Sequence, residues 1–237
     1  IVAPDFPVNR LIVTNAVRVE SVNGPQYTII QGQGPVGPSA VRCAYLTEGA
    51  ELVGFTLTNG ATAASGSGVS DGGGAVCYYG GTISNCVIVG NTADGWGGGV
   101  LLAFECAVLN SVLRGNTAAN GGAGALDSGG VVINCTASFN RAWCDGGGFI
   151  MTYGGGTITG CTLYANQAGT NGGWVMEYYG GTVENSILSG NTAMFGGGIY
   201  CYQGASARGC TLLGNSATNT GGGLFIDGNG TVSDCVL

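Results

Sequence analysis

A repeat of about 25 residues constrains this chain more than any other feature of its sequence. An asparagine followed two residues later by alanine recurs along the chain, and from Asn91 onward the steps are 25, 24, 26, 25 and 24 residues. The asparagines of the series are Asn59, Asn91, Asn116, Asn140, Asn166, Asn191 and Asn215, with Asn59 heading it after one longer step. A fixed period of this length is typical of a solenoid, in which each repeat is one unit that stacks on its neighbours.

Within one repeat, the pattern predicts short strands joined by tight corners. Ile83, Cys86 and Ile88 are apolar or small and have polar residues between them, which indicates two short strands with a kink. Glycine clusters such as 97–99 supply corners, because glycine tolerates positive φ. One coil cannot bury its own apolar face, whereas coils stacked at about 4.8 Å share a continuous core. We therefore predict an all-β fold, a right-handed parallel β-helix with about 25 residues per coil.

Other repeat folds fit the pattern less well. A leucine-rich horseshoe needs a Leu-x-x-Leu-x-Leu run before its asparagine, and a propeller needs about 40 residues per blade. Residues 1–60 are less regular and are predicted to form the N-terminal entry coils. Residues 61–237 are predicted to form regular coils of the same continuous domain.

Two columns of side chains are predicted to stack along the coils. The asparagine amides are expected to hydrogen-bond one another up the stack, as in cross-β ladders. Five residues before most of the asparagines lies a small residue, and the cysteines of this column are Cys86, Cys135, Cys161, Cys210 and Cys235. The ten cysteines include no Cys-x-x-Cys pair, which argues against zinc and thioredoxin-like sites. We expect buried thiols, with disulfides in an oxidising compartment as the alternative.

The charge inventory excludes several classes of function. The chain has six arginines, no lysine and no histidine, and its net charge is −7. An acidic chain of this kind is a poor partner for nucleic acid or for an anionic membrane surface. Without histidine, the commonest metal ligand and general base is missing, and we predict no metal and no cofactor. No run of 18 apolar residues is present, so no membrane span is predicted.

Two carboxylates are the strongest candidates for catalysis. Asp127 and Glu177 follow glycine clusters two coils apart and are predicted to share one column, with Met151 between them. Their expected separation of about 9–10 Å is near the upper limit for an inverting glycosidase pair. The alternative is two solvent-facing residues in a permissive column, so no catalytic residue is assigned and an enzyme is the less favoured interpretation.

Aromatic residues recur after the glycine clusters and suggest a binding surface. Exposed aromatic rows bind sugars or other chains by stacking, although the same residues can also cap the apolar sheet. The candidates for contact with a sugar or a partner are Tyr78, Tyr79, Tyr178, Tyr179 and Tyr202.

The repeats resemble those of a known group of proteins. Gly98-Gly99-Val100 and Ile88-Val89-Gly90-Asn91 carry a glycine-glycine-aliphatic phrase and an aliphatic-x-x-Asn phrase. In this they resemble the repeats of polymorphic outer-membrane proteins and related bacterial surface β-helices, which share the pectin-lyase-like right-handed helix. The resemblance implies a secreted or cell-surface location in a bacterium. It does not imply an activity, because polysaccharide lyases, hydrolases and structural proteins share the fold.

Two functions remain open from the sequence. The first is an extracellular structural or adhesive β-helix. Neither end of the sequence shows a polar cap, which is expected either of a piece of a longer repeat protein or of chains that stack head to tail into a filament. The alternative is a carbohydrate-active enzyme or a polysaccharide-binding module of the same fold. The expected partners are therefore a second copy of the chain, or cell-surface and polysaccharide ligands.

Overall fold

The computed structural model describes residues 8–64, 69–173, 175–177 and 180–237, and for residues 175–177 it describes the backbone alone. The described residues form strands and no helix, and all pairings between strands are parallel. The predicted parallel β-helix is thus confirmed, with coils about 25 residues apart. Within the described part of the chain, no helix could span a membrane.

Three long sheets run the length of the solenoid, and a fourth, shorter sheet lies at one corner. Sheet 1 contains β1 (Val8–Val13), β4 (Val41–Leu46), β7 (Ala75–Tyr78), β10 (Val100–Ala103), β14 (Gly124–Asp127), β18 (Phe149–Thr152), β22 (Val175–Glu177), β26 (Ile199–Tyr202) and β30 (Leu224–Asp227). Sheet 2 contains β2 (Arg18–Glu20), β5 (Glu51–Val53), β8 (Thr82–Ser84), β11 (Ala107–Leu109), β15 (Gly130–Ile133), β19 (Gly156–Thr159), β23 (Thr182–Glu184), β27 (Ser206–Arg208) and β31 (Thr231–Ser233).

The other two sheets complete each coil. Sheet 3 contains β3 (Ile29–Gln31), β6 (Thr56–Thr58), β9 (Val87–Val89), β12 (Val112–Arg114), β16 (Thr136–Ser138), β20 (Thr162–Tyr164), β24 (Ile187–Ser189) and β28 (Thr211–Leu213). Sheet 4 contains β13 (Thr117–Ala118), β17 (Arg141–Ala142), β21 (Gln167–Ala168), β25 (Thr192–Phe195) and β29 (Ser216–Thr220). The first two coils, β1–β3 and β4–β6, belong to the same three long sheets as the coils that follow.

The core is a stack of identical positions. Each three-residue strand of sheets 2 and 3 points its middle residue inward, as Ile83 and Ile88 do, and both are fully buried. Strands of sheet 1 contribute two inward residues each, such as Val100 and Leu102. Full burial of one such aliphatic side chain stabilises the fold by about 1.5–3 kcal/mol. Because the register repeats from coil to coil, these contributions form one continuous apolar column.

The asparagines form a buried ladder at one corner. Each Nδ2 donates to the Oδ1 of the asparagine in the next coil, at 2.9–3.1 Å from Asn91 to Asn215. The same Oδ1 also accepts the backbone N–H of the preceding asparagine, and each amide reaches back to a carbonyl of the preceding coil, as Asn140 does to Leu113. The ladder therefore satisfies buried backbone groups that the strands leave unpaired.

Asn59, predicted to head this ladder, lies one residue out of its register. Leu57 pairs with Ile88, so Gly60 lies beside Asn91 and donates its N–H to the Asn91 Oδ1 at 2.8 Å. Asn59 is exposed and forms a corner with a φ of 55°. The prediction was wrong because the step from Gly60 to Asn91 is 31 residues. Across so long a step, the Asn-x-Ala pattern does not determine the alignment.

The cysteine column is a second ladder, shared with serine. Each side chain donates to the carbonyl two residues earlier and accepts the N–H of the equivalent residue in the preceding coil. Ser111 shows both contacts, with Oγ donating to Leu109 O at 2.7 Å and accepting from Cys86 N at 3.0 Å. The equivalent N–H contacts to sulfur are 3.4 Å at Cys161 and at Cys235. All ten cysteines are thiols in the structure.

Candidate functional site in a groove on sheet 1

The outer face of sheet 1 is apolar, although it lies outside the core. Val76, Leu101, Ala125 and Ile150 are in register on successive strands and alternate with the inward-facing residues. Each is at most 8% exposed, and together they form a hydrophobic cluster separate from the core. Outward positions of a strand usually carry polar side chains. A buried apolar row on the outer face of a sheet makes this face a candidate binding surface.

Aromatic side chains form the two walls of this face. On one side, Trp96 and Phe195 come from the corner that precedes sheet 1 and pack against the apolar row. On the other side, Tyr79, Phe104 and Tyr153 follow their strands directly and are 58%, 43% and 72% exposed. All three have positive φ. The Tyr79 and Phe104 rings are stacked, with centroids 5.1 Å apart. The apolar row and its aromatic walls are called the groove below.

The groove contains a cavity of about 260 Å³. Its floor contains Leu101 and Ala125, and its other lining residues are Asp71, Tyr78, Trp96, Asp127, Thr152 and Tyr153. The cavity therefore combines a flat apolar floor, three aromatic rings and two carboxylates. Such a mixture of apolar surface and a few polar groups is typical of ligand sites.

Backbone contacts hold Asp71 at the edge of the cavity. Its Oδ1 accepts the Trp96 N–H at 2.7 Å and the Ser70 hydroxyl at 3.4 Å. A Cβ at Gly95 would lie 2.2 Å from the same oxygen, so only glycine fits beside it. Burial raises the pKa of the Asp71 carboxyl, and the Trp96 amide, the Ser70 hydroxyl and the Arg42 charge offset part of this effect. Asp71 is therefore held in place and is more easily protonated than a surface aspartate.

Arg42 supports this corner from beneath. Its guanidinium is 1% exposed and donates to Gly72 O at 2.7 Å, to Asp71 O at 2.5 Å and to Asn9 Oδ1 at 3.0 Å. Burial lowers the pKa of Arg42 to about 10, which leaves it charged at neutral pH. Since two of its contacts are backbone carbonyls at residues 71 and 72, Arg42 fixes the chain that carries the Asp71 carboxylate.

The two carboxylates predicted as a catalytic pair do not share a column. Asp127 pairs with Thr152, whereas Glu177 pairs with Met151. Asp127 therefore lies on the outward-facing column and lines the cavity. The predicted alignment was wrong by one residue at Asp127, because Gly124 does not belong to the corner although it closely follows a run of glycines. Gly124 is instead the first residue of strand β14, where a Cβ would lie 2.9 Å from the Phe149 ring.

The tyrosines predicted to contact a sugar or a partner lie at different places along the groove. Tyr78 lines the cavity, Tyr79 stands at its rim beside Phe104, and Tyr202 packs against the apolar row farther along. Tyr178 and Tyr179 lie outside the described residues.

Asp71 and Trp96 were not among the site residues predicted from the sequence. Each directly precedes a glycine of positive φ, Gly72 or Gly97, that turns the chain into sheet 1. The residue before each such glycine stands beside the groove. This spacing is the sequence signal from which the positions of Asp71 and Trp96 could have been predicted.

The groove suits a ligand with flat apolar faces and polar edges. Aromatic rings stack on such faces, while the carboxylates accept hydrogen bonds or pair with positive charge. Among the described residues, no group of three or more histidine, cysteine, aspartate or glutamate side chains could hold a metal ion.

Comparison with known proteins agrees with the fold. The family described as right-handed beta helix region matches residues 73–237, which is more than half of the chain. The chain has no significant match to a curated protein or to a solved structure. The match spans the regular coils and the greater part of the groove, and on this ground the chain is a member of the right-handed β-helix family.

Proposed function

We propose that the protein is an extracellular adhesive β-helix that binds a polysaccharide in the groove of sheet 1. The observation that carries the proposal is the buried apolar row on an outer face, walled by exposed aromatic rings. Sugar rings have apolar faces that stack on tyrosine and tryptophan, and their hydroxyl groups donate to carboxylates.

The repeat of the solenoid suits a polymer better than a small molecule. Successive coils lie about 4.8 Å apart, so equivalent positions recur in steps along the axis of the groove. Tyr79, Phe104 and Tyr153 occupy equivalent corner positions in different coils. A linear glycan laid along the axis contacts several of them at once, and such multiple contacts increase the overall affinity.

A second candidate function is hydrolysis of the bound glycan. Asp71 and Asp127 line one cavity, and burial raises the pKa of the Asp71 carboxyl. A protonated carboxyl beside an ionised one is the acid and base arrangement of glycosidases. Release of reducing ends from a bound polysaccharide, lost in Asp71→Asn, would support this function.

A second copy of the chain was the other partner predicted from the sequence, and its head-to-tail association stays a prediction. Static light scattering at increasing protein concentration tests it, since stacking raises the apparent mass with concentration.

The binding proposal is tested with polysaccharides immobilised in native gels, in which binding retards the protein. Tyr153→Ala removes an exposed ring of the groove and is expected to weaken retardation about tenfold. Phe139→Ala is the matched control, since Phe139 is also exposed and also has positive φ, but follows a strand of sheet 3. Equal effects of the two substitutions, or no retardation by any polysaccharide, would refute the proposal.

A further inference from the structure

The charges around the cavity restrict which ligand fits it. Its lining includes the carboxylates of Asp71 and Asp127 and no cationic side chain. Arg42 lies behind the corner that carries Asp71, but it is 1% exposed, and its donors are directed at Gly72 O, Asp71 O and Asn9 Oδ1. Its charge stabilises the corner but its N–H groups do not reach the cavity. A ligand therefore meets negative charge and no exposed positive charge.

The aromatic lining favours the same kind of ligand. Tyr78, Trp96 and Tyr153 line the same cavity as the two carboxylates. The face of an aromatic ring attracts a cation, most strongly for tryptophan, and the attraction increases when the cation is partly desolvated. An ammonium group in the cavity would therefore be attracted by both the rings and the carboxylates, whereas an anionic sugar would be repelled by both.

We infer that the cavity selects glycans that carry free amino groups. This inference rests on the proposed function and names its ligand class. A protonated amino sugar that stacks its ring on the floor at Leu101 and Ala125 places its ammonium beside a carboxylate of the cavity lining. A neutral N-acetylated sugar can use the floor, the rings and hydrogen bonds to the carboxylates, but it has no positive charge to pair with them. A polyuronate is repelled by the carboxylates, and the net charge of −7 adds to this repulsion.

The inference is tested by calorimetric titration of the full chain with three oligosaccharides of equal length, at mildly acidic pH where amines are protonated. The probes are oligomers of glucosamine, of N-acetylglucosamine and of galacturonate. We expect the glucosamine oligomer to bind at least about tenfold more tightly than the N-acetylated one, and added salt to reduce this preference.

Asp127→Asn is expected to reduce the preference for the glucosamine oligomer over the N-acetylated one by about tenfold, because the amide can still accept a sugar hydroxyl but no longer carries the charge that pairs with the ammonium. Asp234→Asn is the matched control, because it removes the same charge from an exposed site at the end of strand β31. Circular dichroism of both variants verifies the fold.

The outcomes separate the inference from the proposed function. Equal affinity for the glucosamine and N-acetylated oligomers, or tighter binding of galacturonate, overturns the amine selectivity and leaves glycan binding intact. Binding of none of the three overturns both. An oligolysine of equal charge that binds as tightly as the glucosamine oligomer also overturns the inference, since charge alone would then explain the affinity.

Discussion

Replacement of Asn140 by alanine tests whether the asparagine ladder stabilises the solenoid. Asn140 is 1% exposed and lies in the middle of the ladder. Its Nδ2 donates to Leu113 O at 3.0 Å and to Asn166 Oδ1 at 2.9 Å. Its Oδ1 accepts the backbone N–H of Asn116 at 2.9 Å and the Asn116 Nδ2 at 3.0 Å. Alanine removes all of these contacts and leaves their partners buried.

The expected loss follows from these contacts. Each hydrogen bond of this kind contributes about 1 kcal/mol net, so four of them amount to about 4 kcal/mol. The backbone N–H of Asn116 is the most costly group to leave without a partner, because no water reaches it in the buried corner. A loss of this size is a large fraction of the stability of a typical domain.

The assay is urea denaturation followed by circular dichroism, with the transition midpoint compared between variants. Asn219→Ala is the control, because Asn219 is an exposed asparagine in strand β29 and its substitution should change stability by less than about 0.5 kcal/mol. If Asn140→Ala destabilises the protein no more than this control does, the ladder does not contribute as argued.

Two further predictions concern the other polar columns. Burial raises the pKa of the Asp145 carboxyl, whose Oδ1 accepts hydrogen bonds from the backbone N–H and the Nδ2–H of Asn171. The folded protein therefore holds this proton more tightly than the unfolded chain does, and the free energy of unfolding should fall as pH rises from the ordinary aspartate pKa through the raised one. Asp145→Asn should therefore raise the melting temperature at neutral pH and converge with the wild type at acidic pH. Identical melting profiles across pH would contradict this. Ser111→Cys should be nearly neutral, because cysteine fills equivalent positions, whereas Ser111→Ala should cost about 1–3 kcal/mol by leaving the Cys86 N–H without a partner. Equal urea midpoints for the two Ser111 variants would be evidence against the ladder.

The period of the sequence was sufficient to predict the architecture. The spacing from Asn91 to Asn215 is regular, and in a solenoid a regular period fixes which residues stack. Inward positions such as Ile88 and Leu113 followed from the alternation of apolar and polar residues, and they are fully buried.

The predicted alignment of one coil on the next was wrong where the period was interrupted, and where a glycine lies in a strand and not in a corner. The longer step before Asn91 displaced Asn59 by one residue from the ladder. At Gly124, a residue type typical of corners lies inside a strand, because the Phe149 ring fills the space that a side chain would need. A displacement of one residue moves a side chain to the other face of the sheet, as happened for Asp127.

The groove was less predictable than the coils, because it depends on contacts between them. Asp71 reaches its position through the Trp96 N–H and through the carbonyl contacts of Arg42, which is 29 residues away in sequence. No local pattern encodes these contacts. The aromatic residues were visible in the sequence, but only the register shows which of them share one side of a sheet.

The Asn91–Asn215 ladder also bears on how proteins of this kind change in length during evolution. Each asparagine offers the same donors and acceptor to the coil before it and the coil after it. Unequal recombination between repeats can therefore insert or delete a whole coil and leave two compatible surfaces in contact. Such an event would lengthen or shorten the groove by one step and leave its cross-section unchanged. The length of the groove and the side chains that line it can thus evolve separately, the first by coil number and the second by point substitution.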